Sequence, residues 1–186
     1  MKSKDYLIVA LVPLAVLLIP LVAMQFTTEV NWTGSDFAIM WVVLVVPTFL
    51  FRLLVTRQWA SLPYRVGAGL AVVAGFLMTW VNLAVQIIGH DNPANLLYLL
   101  VILIGLIGVG LARFHPAGLA KTAFATAAAT FLVPVIAFFA WPTDFSPGVP
   151  QVFMLNSGFV LLFAGAGLLF RQAASQSIGS RAAMAA

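Results

Sequence analysis

The residues with chemical potential gather in one stretch, Thr79 to Tyr98, reading TWVNLAVQIIGHDNPANLLY. Thr79, Asn82 and Gln86 follow one another at spacings of three and four. That spacing puts them on one face of a helix. Asn95 and Tyr98 stand three apart on the next helix. The connection Gly89-His90-Asp91-Asn92 between them is very short. It makes the two helices antiparallel neighbours and predicts that they form the tightest hairpin. Asn156 and Ser157, on the last apolar segment, either join this cluster or cap a kink.

Three chemistries fit these groups. Amides, a phenol, an imidazole and a carboxylate converging beside apolar walls suit a small-ligand pocket. The ligand set would be Asn82, Gln86, His90, Asp91, Asn95, Tyr98 and Asn156. The same amides suit a structural clamp, since interhelical hydrogen bonds in membranes contribute about 0.6–2 kcal/mol each. A metal site could use His90 with Asp91, Asp36 or Asp144, but these lack a recognised ligand spacing. No catalytic residue, metal ligand or cofactor is therefore assigned.

What must position these residues follows from composition. Of 186 residues, 63% are hydrophobic and 8% are charged. A soluble domain has about 45–50% apolar and about 25% charged residues. The chain cannot cover a water-soluble globule, and the same arithmetic excludes a disordered tail, a collagen or a nucleic-acid-binding domain. It contains no cysteine, which removes disulfides, thiolate sites and thiol nucleophiles. Six runs approach the ~20 apolar residues that cross a bilayer: about 6–26, 36–55, 64–88, 93–112, 120–141 and 151–170. The fold class is thus all-α, a polytopic bundle of six transmembrane helices. Residues 1–171 make one transmembrane domain, and 172–186 a flexible tail.

Local signals refine the ends. Ser35 is placed to cap the second helix, with Asp36 in its first turn. Pro63 suits the first turn of the third, and Asn92-Pro93 the start of the fourth. Pro142, Pro147 and Pro150 exclude helix between the fifth and sixth. Pro13, Pro20, Pro47 and Pro134 lie inside spans and are expected to kink them. Glycines at 67, 75, 105, 108, 165 and 167, with the threonines at 122, 126 and 130, read as small-residue packing stripes. Trp32, Trp41, Trp59, Trp80 and Trp141, with Tyr6 and Tyr64, read as an interfacial aromatic belt.

All nine Lys and Arg fall on one side of this topology. The other side carries Glu29, Asp36, Asp91 and Asp144. The positive-inside rule then puts both termini in the cytoplasm. The first span has a Lys-flanked start like a signal peptide, but it is too long and lacks an A-x-A-like site, so retention is expected. No titratable group lies in the middle of a span, which disfavours proton coupling. His90 and His115 lie at opposite faces and cannot together ligate one haem. There is no HExxH, GxSxG or P-loop pattern.

The segments Trp80-Val-Asn-Leu-Ala-Val85, Asn92-Pro-Ala-Asn-Leu96 and Ala112-Arg-Phe-His-Pro-Ala-Gly118 resemble a family of small bacterial integral membrane proteins of unassigned function. The resemblance covers roughly residues 64–135. The extra first span is where the chain departs from it. It implies a bacterial inner-membrane location and no particular activity. The function expected is that of a non-enzymatic accessory or binding subunit. Its partners would be the bilayer and a small ligand, lipid, membrane protein or second copy, not nucleic acid. The alternative is a small transporter or channel.

Overall fold

The computed structural model describes residues 3–57, 60–90, 92–141, 145 and 148–185, with side chains as far as residue 177. Helix is the only regular structure among the described residues. The helices are α1 (Ser3–Ala23), α2 (Gly34–Val55), α3 (Leu62–Val85), α4 (Leu97–Leu111), α5 (Pro116–Ala140) and α6 (Val149–Ala185), with a 3-10 turn, Pro93–Leu96, leading into α4. Six helical stretches are long and apolar enough to cross a membrane, the fourth being the turn plus α4. This is the expected all-α, multi-pass architecture. Helices suit it because each satisfies its own backbone groups in hydrocarbon.

The helix ends show which local signals prevail. Thr33, not Ser35, caps α2. The Thr33 hydroxyl accepts the Asp36 N–H, and the Asp36 carboxylate accepts the Thr33 N–H at 2.7 Å. Thr33 wins because the acid stands three residues after it, completing a reciprocal capping box. Pro63 lies in the first turn of α3, as expected. Asn92 caps the 3-10 turn, its side chain accepting the Ala94 N–H at 2.8 Å. Pro150 does not exclude helix: it sits in the first turn of α6, where its missing N–H costs no bond. Pro142 and Pro147 lie outside the described residues. Helix α6 also runs past Phe170 to Ala185 through an Ala-rich, proline-free sequence. Pro13, Pro20, Pro47 and Pro134 all lie inside helices.

The chain divides into two compact units, Met1–Arg57 and Gln58–Ala186. In the first, α1 and α2 form an antiparallel hairpin. Every fourth residue of α1 from Asp5 to Leu17 is buried, so a single stripe carries the packing. At one end the Asp5 carboxylate and the Arg52 guanidinium form an ion pair.

In the second unit, α5 and α6 make the most extensive contact, α3 packs on α6, and α4 packs on α5. The expected tight pairing of α3 with α4 is not found; these two touch only briefly. Small residues decide the partners. A Cβ on Gly67 of α3 would stand 3.1 Å from Leu169 and 3.2 Å from the Ala166 carbonyl of α6. A Cβ on Gly108 of α4 would come within 2.4 Å of Thr122 on α5, so only glycine fits there. The stripes read from the sequence are therefore packing surfaces inside this unit.

Tyr64 is a correction to the aromatic belt. It is completely buried, its ring meets Phe170 edge-on at 5.4 Å, and its hydroxyl donates to the Phe114 carbonyl at 2.9 Å. It thereby holds the α4–α5 turn, where Arg113 and Phe114 both take left-handed backbone angles. Tyr6, Trp41 and Trp80 are exposed, in keeping with a belt, and Trp59 lies outside the described residues.

Candidate functional site: an amide-laced break between two helices

The third span ends earlier than its apolar pattern suggests. Helix α3 stops at Val85, and Gln86 takes a φ of 53°. The chain then runs non-helically through His90. This break is not a solvated loop: Ile87, Ile88 and Gly89 are all buried. Irregular backbone in such surroundings must find partners for its N–H and C=O groups.

Two asparagines supply them. Asn82, one turn before the helix end, accepts the Ile87 N–H at 3.5 Å and donates to the Asn95 carbonyl at 3.1 Å. Asn95 accepts the Ile88 N–H at 3.1 Å and donates to the Gly89 carbonyl at 2.8 Å. Each side chain uses both ends of its amide, as a peptide unit does in a ladder. Asn92 completes the turn by capping, while its own Nδ2 is buried without a partner. His90 stands exposed at the tip of this braced segment.

A second node lies one turn further along α4. The Tyr98 hydroxyl donates to Asn156 Oδ1 at 3.0 Å. Asn156 Nδ2 donates to the Thr130 carbonyl at 2.9 Å. Thr130, Thr126 and Thr122 each donate their hydroxyl to the carbonyl four residues earlier on α5, at 2.8, 2.9 and 3.1 Å. Polar groups thus line the α5 face that packs on α4, but they are closed in by Gly105 and Gly108.

The residues expected in one cluster therefore fall into two groups. Asn82 and Asn95 brace the break. Tyr98 and Asn156 tie α4 to α6 and α5. Gln86 marks the helix end, half-buried. Asp91 lies outside the described residues. Thr79 bonds back to Gly75 of its own helix at 2.8 Å. Among the described residues, no three His, Cys, Asp or Glu side chains gather closely enough to hold a metal ion. The Asn82 and Asn95 amides are directed at protein backbone at both ends, which is the clamp geometry.

Sequence reasoning missed two contacts. One is Tyr64 with Phe114. The other is Asp5 with Arg52, which was legible: Asp5 is the sole acid at the basic end of the spans, and the two residues lie equally far from the α1–α2 connection. Comparison with protein-family models, curated proteins and solved structures returns no match for this chain.

Proposed function

We propose that this is a non-enzymatic accessory subunit of the bacterial inner membrane, which presents the braced turn around His90 to a partner membrane protein on the periplasmic side. The observation that carries this reading is the use of the two asparagines. Four of their polar atoms fix backbone atoms of one turn, so the turn is held rigid while the His90 side chain stays exposed. Rigid presentation lowers the ordering cost of binding. Orientation rests on the shared side of all nine basic residues, which favours cytoplasmic termini. The bacterial location rests on the resemblance of residues 64–135. Transport through the four-helix unit is less well supported, because its threonine stripe packs against glycines.

Topology is tested by reporter fusions after residue 186 and at Asp144; a periplasmic C-terminus would sink the assignment. Partner recognition is tested with a photo-crosslinking amino acid at position 90 and, as control, at the exposed Leu103 of α4. One discrete protein adduct from position 90, absent from position 103 and lost in Asn95→Leu, is the expected result. Should position 90 give only the lipid adducts seen at 103, the presenting role is wrong.

A further inference from the structure

Thr130 stands four residues before Pro134 on α5. In an uninterrupted α-helix its carbonyl would accept the peptide N–H of residue 134. Proline has no such hydrogen, and its ring pushes that carbonyl aside. In a membrane the orphaned oxygen must be satisfied from elsewhere. Here the donor comes from another helix, as Asn156 Nδ2 at 2.9 Å. The site is enclosed: Thr130, Pro134, Asn156 and Tyr98 are all buried.

We infer that Asn156 is a latch on a proline hinge in α5. It replaces the peptide N–H missing at Pro134, and Tyr98 holds the other end of its amide. Orientation matters because a side-chain amide has two unlike ends. Were Asn156 flipped, its oxygen would face the Thr130 carbonyl and two acceptors would repel. The Thr130 carbonyl, which can only accept, thus selects the orientation in which Nδ2 meets it, and the Tyr98 O–H then donates to Oδ1 and holds that end in place. With the latch engaged, α5 is pinned to α4 and α6 beside Pro134. With it released, the final turn and a half of α5, after Pro134, is free to swing. The proposal does not depend on any partner at His90.

A latch that exists for the proline should become dispensable without it. An ordinary interhelical hydrogen bond would not. The chain has no cysteine, so a spin-label pair placed by Phe139→Cys and Met154→Cys, both exposed sites, reports the separation of the α5 and α6 ends. The full chain in lipid nanodiscs is expected to give one narrow distance distribution. Asn156→Leu should broaden it and lower the thermal midpoint by roughly 4–8 °C. Adding Pro134→Ala should narrow the distribution again and recover at least half of that midpoint loss. Tyr98→Phe should broaden it to an intermediate degree. If Asn156→Leu fails to fold, the double variant decides: folding supports the latch, and failure overturns it. A midpoint loss from Asn156→Leu that is the same with and without Pro134→Ala, or an unchanged distance distribution in Asn156→Leu, would also overturn it.

Discussion

The α1–α2 hairpin and the four-helix unit handle polar groups in opposite ways. In the hairpin, Asp5 and Arg52 pair at the very end of the two helices. Along the rest of α1, Leu7, Leu11, Leu14 and Leu18 are exposed, as a lipid-facing helix requires. The four-helix unit buries Asn92, Asn95, Asn156, Thr126 and Thr130. Two helices share a single seam, and the charged pair of this one lies at its end. Four helices enclose a core in which an amide can reach backbone on two neighbours. Polar residues in the larger unit can therefore specify geometry, while in the hairpin the charged pair pins a terminus.

The sharpest way to break this contrast is Asn95→Leu. It removes partners from the Ile88 N–H and the Gly89 carbonyl, both on buried residues, while the bond from Asn82 to the backbone carbonyl of residue 95 is kept. A loss of about 2–4 kcal/mol is expected, read by chemical unfolding in mixed micelles, with amide exchange rising at residues 87–89. A loss under about 0.5 kcal/mol would place this polar node on a par with ordinary membrane hydrogen bonds, which average about 0.6.

A smaller effect is expected in the hairpin. Arg52→Met takes the guanidinium away from the buried Asp5 carboxylate and should cost about 1–3 kcal/mol. Replacing both charges, as Asp5→Leu with Arg52→Met, should return stability to near the starting value, because desolvating an ion pair offsets much of its attraction. If the double variant is as unstable as the single, the pair does more than pin an end, and the two regions differ less in kind.

The smallest effect belongs to Tyr64→Phe. It keeps the ring on Phe170 and removes only the hydroxyl that meets the Phe114 carbonyl. About 1 kcal/mol is expected, with proteolysis at the Arg113–His115 turn as the sensitive readout. No change in cleavage there would show that the turn holds its left-handed residues unaided.

Much of the fold was legible because length and apolar content decide helix count in a membrane. The six spans, the Pro63 and Asn92 starts and the small-residue stripes all follow from local residues. Partner choice was less legible. The short turn after Gly89 made α3 and α4 chain neighbours, but Gly67 meets Ala166 and Leu169, a contact no local pattern encodes. The amide face at Asn82 and Asn95 was visible as a face. Its use was not, because the break at Gln86 interrupts a pattern that continues apolar through Ile87 and Ile88. Tyr64 looked like a belt residue because burial at a helix start depends on what packs over it.

The Asn156 contact also has a history in time. Translation delivers the helices from the N-terminus, so α5 enters the bilayer before the residue that completes it has been made. Until α6 follows, the Thr130 carbonyl lacks both the peptide N–H that Pro134 cannot supply and the Asn156 amide that replaces it. A nascent chain paused before Asn156 would thus hold its fifth helix in an unfinished state, exposed to whatever quality control surveys the membrane. Of the six helices, the one synthesised last is the one that closes the fold.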